Sequence, residues 1–250
     1  PVIQGSIQFP SQSPQTNAIT GYTFNPATTA DNYCVTTDDG TLTMKCVEKN
    51  ITIVADNGTW TYDGTSHTQN SYTVTYMDGG STITATVPVS ANGVYKFANG
   101  DSLHVVITGE AKNVTTGVNN VVAGYTIYHG TENMSACYNV TTINGTLVVN
   151  CRAITLTSAT ANKTYDNTEL KKETVTISGD GMATGETMNF TNFASITNVG
   201  SVKNTFDYSF VAPALASNYC VTVDTGTLTV ECREVTIKSA GAGKTYDALP

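Results

Sequence analysis

Six cysteines are the residues best suited to covalent chemistry, and they fall in three pairs: Cys34 with Cys46, Cys137 with Cys151, and Cys220 with Cys232. The members of a pair stand 12, 14 and 12 positions apart. Each pair flanks a stretch of alternating apolar and polar residues. In the last one Tyr219, Val221 and Val223 precede Asp224-Thr225-Gly226, and Leu228 and Val230 follow. This pattern predicts a half-buried antiparallel hairpin that closes each unit. An even separation lets both sulfurs face one side when the loop has an odd number of residues. In an exported chain, an even cysteine count then predicts three disulfides, one per closing hairpin. Free buried thiols and bridges between units or chains are the alternatives. A closed loop of about a dozen residues would contribute roughly 3 kcal/mol per bridge. The middle pair is out of register: with Tyr138 aligned to Tyr33 and Tyr219, Asn139 occupies the place of Cys34 and Cys220. A diagonal pair spans roughly 7 to 8 Å, too far for a disulfide, so a bulge or longer loop is expected there.

Other chemistry is sparse. No Cys-x-x-Cys occurs, and His67, His104 and His129 show no ligand spacing with the cysteines, which disfavours zinc. No phosphate loop, Ser/His/Asp arrangement or cofactor motif is present, so neither catalysis nor a cofactor is expected. Asp63, Asp166 and Asp247 each follow a Tyr, a position that suits turn capping better than acid catalysis. Asp38-Asp39 reads as a hairpin turn, since a Ca²⁺ ion wants six or more oxygens. Lys163 and Lys244 could enter an isopeptide bond with an Asn, but Trp60 stands at the matching place in another copy. Trp60, Tyr72, Tyr76 and Tyr95, with Phe97, are the candidate ligand-binding face, where rings could stack on sugars; core packing is the competing role.

The elements that carry these residues repeat. Ile51-Thr52-Ile53 through Thr61-Tyr62-Asp63 returns as Ile154-Thr155-Leu156 through Thr164-Tyr165-Asp166, and again as Val235-Thr236-Ile237 through Thr245-Tyr246-Asp247. The closing motif Asn32-Tyr33-Cys34-Val35-Thr36, Gly40-Thr41-Leu42, Cys46 matches Asn218-Tyr219-Cys220-Val221-Thr222, Gly226-Thr227-Leu228, Cys232. A middle copy reads Tyr138-Asn139-Val140-Thr141, Gly145-Thr146-Leu147, Cys151. Residues 1–46 are then the closing part of one unit, 47–151 and 152–232 are whole units, and 233–250 open another. The larger unit has its extra length between Tyr62 and Gly100, where an inserted hairpin or loop is expected. Alternation throughout predicts an all-β chain of tandem small domains in an elongated array. Each domain would be an Ig-like sandwich or, alternatively, a β-grasp-like sheet.

The motif Lys163-Thr164-Tyr165-Asp166-Asn167-Thr168, with its sibling Thr61-Tyr62-Asp63-Gly64-Thr65 and the closing Tyr-x-Val-Thr and Gly-Thr-Leu segments, resembles the MBG and YDG type repeats of large bacterial surface adhesins. Asn99-Gly100-Asp101-Ser102-Leu103 and Thr197-Asn198-Val199-Gly200-Ser201 agree with it. The resemblance implies a cell-surface stalk and brings no catalytic or ligand site; Trp60 and the cysteines depart from the pattern. A net charge of −8 with 12 Lys and Arg speaks against nucleic acid. No apolar run is long enough to cross a bilayer as a helix. Expected partners are neighbouring units or further copies, joined by strand addition where units are split, and a glycan or host surface if residues 47–151 are adhesive.

Overall fold

Ile51, Ile53 and Ala55 point inward and are buried, while Thr52 and Val54 between them are partly exposed, the alternation of a strand with one face in a core. Ile154, Leu156 and Ser158 repeat this inward face. The computed structural model describes residues 1–25, 31–46, 48–88, 93–246 and 248; the expected turn residue Asp247 and the unit-opening residue Val47 lie outside them. The chain is all-β, and no α-helix occurs among the described residues. It divides into two units, Pro1–Trp60 with Thr65–Asn150, and Thr61–Gly64 with Cys151–Pro250.

The first unit is built from β1 (Val2–Gln4), β2 (Gln15–Gly21), β3 (Gly40–Leu42), β4 (Lys49–Ala55), β5 (Gly58–Thr61), β6 (Ser71–Asp78), β7 (Ser81–Pro88), β8 (Val94–Lys96), β9 (Ser102–Thr108), β10 (Thr115–His129), β11 (Glu132–Asn133), β12 (Tyr138–Ile143) and β13 (Gly145–Asn150). Two sheets, β12-β4-β6-β7 and β5-β13-β10-β9-β8, face one another. Their shared core holds Ile51, Ile53, Tyr72 and Val74 from one side and Leu103, Val105 and Ile127 from the other. The extra length between Tyr62 and Gly100 includes the β6–β7 hairpin, whose two-residue loop Gly79-Gly80 takes positive φ at both positions, as a tight hairpin requires. Residues 1–46 contribute the separate sheet β1-β2-β3.

The second unit contains β14 (Arg152–Ser158), β15 (Ala161–Thr164), β16 (Leu170–Lys171), β17 (Val175–Gly179), β18 (Thr187–Thr191), β19 (Ser195–Ile196), β20 (Gly200–Lys203), β21 (Asp207–Val211), β22 (Tyr219–Asp224) and β23 (Thr227–Glu231). β14 lies between β17 and β22, and β23 lies between β15 and β20.

The closing segments are not hairpins, contrary to the expectation from alternation. β12 runs parallel to β4, with Tyr138 opposite Lys49, while β13 pairs with β10 in the facing sheet. In the second unit β22 runs parallel to β14, with Tyr219 opposite Arg152, and β23 pairs with β15 and β20. The chain therefore crosses from one sheet to another at Gly145 and at Gly226. Glycine is required there by close approach: a Cβ on Gly145 would collide with the carbonyls of Ala55 and Asp56, and one on Gly226 with those of Ser158 and Ala159.

Candidate functional site

The parallel pairing brings the start of each opening strand beside the start of a closing strand, and a disulfide joins them there. Cys46, three residues before β4, is bonded to Cys137, one residue before β12, with Cα atoms 4.9 Å apart. Cys151, immediately before β14, is bonded to Cys220 in β22, with Cα atoms 5.5 Å apart. Both spans suit an ordinary disulfide. Cys34 and Cys232 are free and exposed.

The bonds Cys34–Cys46, Cys137–Cys151 and Cys220–Cys232 expected from spacing are thus replaced by another pattern. The physical reason is the sheet crossing. Cys137 and Cys151 bound two strands that lie in different sheets, and each is bonded instead to the cysteine beside the parallel partner strand. The two-residue displacement of Cys137 also has its explanation. Cys46 precedes Ile51 by five residues, whereas Cys151 precedes the equivalent Ile154 by three. Both bonded partners in the first unit are shifted by two in the same direction, so the bond is kept. That compensating shift was visible in the sequence and identifies the pairing without a bulge.

Beside each disulfide a carboxylate is held by tyrosine. In the first unit the Tyr138 hydroxyl donates to Asp101 Oδ2, and His129 Nδ1 lies 2.7 Å from Asp101 Oδ1. Asn99 Nδ2 donates to Asp101 Oδ2 at 3.0 Å and to the Tyr138 hydroxyl at 3.0 Å. In the second, Tyr62 and Tyr219 each donate to Glu186 at 2.5 Å, one to each oxygen. Burial pushes Tyr138 and Tyr219 up to about 12, with the neighbouring carboxylates adding to the rise. These hydroxyls therefore stay protonated, as donors, throughout the neutral range. Arg152, next to Cys151, donates to the carbonyls of Gly181, Asp180 and Tyr62. An open cavity of about 330 Å³ in the first unit is walled by Cys46, Cys137, Asp101 and Tyr138.

A second repeated device is a buried asparagine. Asn120 stands opposite Gly145, and its Nδ2 donates to the carbonyls of Asp56 and Gln69, both at 2.9 Å. Asn204 donates from its backbone to Gly226, and from its Nδ2 to the carbonyls of Ala159 at 2.8 Å and Lys172 at 3.0 Å. Both side chains are fully buried. Each fastens the end of an opening strand to the sheet crossing.

The proposed aromatic face is not assembled. Tyr72 and Tyr76 lie in the core, the Tyr76 and Tyr95 hydroxyls are 3.0 Å apart, and Phe97 packs on both Tyr76 and Tyr95. Trp60 is elsewhere, stacked on His67 at 5.0 Å. Tyr72 and Tyr76 are therefore core residues, while Trp60 and Tyr95 are half-buried. Asp166 accepts from the Thr168 amide and hydroxyl as a turn cap, and also from Lys163 Nζ at 2.8 Å. The Lys163 ammonium and these Thr168 bonds hold its carboxyl well below the usual range. Lys163 is thereby directed to Asp166 and Thr168 and away from an isopeptide bond with Asn. No group of three or more potential metal ligands occurs among the described residues, and no helix among them is long and apolar enough to cross a membrane. Two disulfides are compatible with an extracellular location. No family model, curated protein or solved structure matches the chain.

Proposed function

We propose that this chain is a load-bearing segment of an extracellular stalk or fibre on a cell surface, made of tandem β units of the adhesin-repeat kind. The observation that carries this is the disulfide between an opening strand and its parallel closing strand, found in both units. When a chain is pulled from its ends, tension enters an opening strand at its N-terminal side and leaves through the last strand at its C-terminal side. In the second unit the last strand, β23, runs parallel to β15, so that pulling β23 by its C-terminal end slides it along β15 and loads their hydrogen bonds together. An antiparallel hairpin would open one bond at a time. The disulfide then carries load directly from Cys46 to Cys137 and from Cys151 to Cys220, bypassing the folded sequence between them.

Single-molecule pulling of the 250-residue chain, oxidised and then reduced, tests this. The bonded cysteines are 91 and 69 residues apart. Reduction therefore frees roughly 300–330 Å and 230–250 Å of additional contour length, at about 3.3–3.6 Å per residue. The oxidised chain is expected to show force peaks with short extensions, and the reduced chain to show these longer ones. Featureless extension without force peaks, or equal lengths in the two states, would overturn the proposal.

A further inference from the structure

The extra length of the first unit adds a strand with a free edge. β6 and β17 are the antiparallel neighbours of the opening strands β4 and β14. In the second unit the sheet stops there, whereas in the first β7 adds a fourth strand and becomes the edge. β7 pairs with β6 in unbroken register from Ser81 opposite Asp78 to Pro88 opposite Ser71. In a hairpin closed by a two-residue loop the flanking pair exchanges both backbone bonds, and bonded pairs then alternate with non-bonded ones. Ser81, Ile83, Ala85 and Val87 therefore bond to β6, and Thr82, Thr84 and Thr86 turn their N–H and C=O groups outward. Pro88, which has no N–H to give, falls at an outward position, as this parity requires. The hydroxyls of Thr75 and Thr84, and of Thr73 and Thr86, are 3.2 and 3.0 Å apart, as befits the closer, non-bonded pairs. Among the described residues no further strand or backbone group bonds this edge.

Edge strands that stay single are commonly blunted by charge, by a bulge or by short length. β7 is eight residues long, carries no charged side chain and has no break in register, and its one Pro is its last residue. Its inner row, Ile83, Ala85 and Val87, packs on the core yet is only half-buried; its outer row, Thr82, Thr84 and Thr86, is exposed. We propose that two copies of this chain pair through β7, antiparallel about a two-fold axis at Thr84. Thr84 then exchanges both backbone bonds with the partner's Thr84, and Thr82 with the partner's Thr86, so every outward group of the three threonines is satisfied. Ile83 comes beside the partner's Ala85, and Ser81 beside the partner's Val87, which continues the inner row across the axis with no opposed charges. The strand is thus complementary to itself, as a two-fold interface requires. The product is one continuous sheet with four strands from each copy, joined by main-chain bonds whose register the alternate side chains set.

This pairing is independent of the stalk reading, which pulling a single chain tests. Edge pairing buries little surface, so the dimer is weak and depends on concentration. The test uses the 250-residue chain with Cys34→Ser and Cys232→Ser, which removes the two exposed thiols as other routes to dimers. Sedimentation from micromolar to millimolar chain should show a reversible monomer–dimer equilibrium. Thr84→Lys puts like charges face to face at the axis and should weaken it by about tenfold or more, with an unchanged melting temperature because residue 84 is exposed. Thr84→Cys should give a disulfide-linked dimer in a glutathione redox buffer, since directly paired residues bring their Cα atoms to about 5.5 Å. Thr82→Cys and Thr86→Cys should link to each other when mixed, and much more slowly to themselves. Monomer at every concentration, which would leave the edge to a strand of a different protein, overturns the proposal. So does a dimer that Thr84→Lys leaves unchanged, or Thr82→Cys that links to itself as readily as to Thr86→Cys.

Discussion

Replacing both Cys46 and Cys137 with alanine lowers the stability of the first unit by about 4.5 kcal/mol. The bond closes a span of 91 residues, and loop-closure entropy in the unfolded chain grows with that span. A bridge across one closing segment of about a dozen residues would contribute only about 3 kcal/mol. The expected fall in melting temperature is on the order of 10 °C or more for a unit of this size. Trp60 is the sole tryptophan and belongs to the first unit, so its fluorescence reports this unit during urea denaturation. Cys34→Ser serves as the control. That thiol is exposed and unbonded, so its replacement should move the midpoint by no more than about 0.5 kcal/mol. Equal effects of the two changes would show that the Cys46–Cys137 bond does not hold the unit together.

Asn204→Asp is expected to destabilise the second unit by about 4 kcal/mol at neutral pH, although the side chains have nearly the same shape. Asn204 is fully buried and its Nδ2 serves two carbonyls. A carboxylate there would turn an acceptor toward acceptors and place an uncompensated charge out of water. Burial would raise the folded-state pKa of the new acid above its unfolded value near 4. The variant is therefore most stable when the acid is protonated, below about pH 4, and loses that stability as pH rises through the folded-state value. Hydrogen exchange of the β14 and β22 amides, read at two pH values against the unaltered chain, measures the effect. Asn204→Ala, which removes the donors without adding charge, should cost about 2–3 kcal/mol with no such pH dependence.

Much of the fold was legible because alternation is a local property. Ile51, Ile53, Ile154 and Leu156 announce strands with one buried face, and the extra length between Tyr62 and Gly100 announces an inserted hairpin or loop. What alternation leaves open is the neighbour. Tyr219, Val221 and Val223 are spaced alike whether the following Leu228 and Val230 return beside them or cross to another sheet. The first choice predicts Cys220 with Cys232 and the second allows Cys220 with Cys151. The crossing was encoded in glycines needed for close approach, which in a sequence look like turn glycines. The displacement of Cys137 looks like a defect against Cys151, its neighbour in sequence, and is explained only by Cys46, its partner in space. Asn120, between Asn119 and Val121, and Asn204, between Lys203 and Thr205, look in the sequence like residues of a polar surface. Only the carbonyls of residues up to 64 positions away reveal the difference.

The central claim, that each opening strand is covalently locked to its parallel closing strand, is tested most directly by disulfide mapping. The monomeric chain, alkylated before digestion and never reduced, is cleaved and its linked peptides identified by mass spectrometry. The structure predicts Cys46 joined to Cys137 and Cys151 joined to Cys220, with alkylated Cys34 and Cys232. Peptides joining Cys34 to Cys46, Cys137 to Cys151 and Cys220 to Cys232, with no alkylated cysteine, would contradict it.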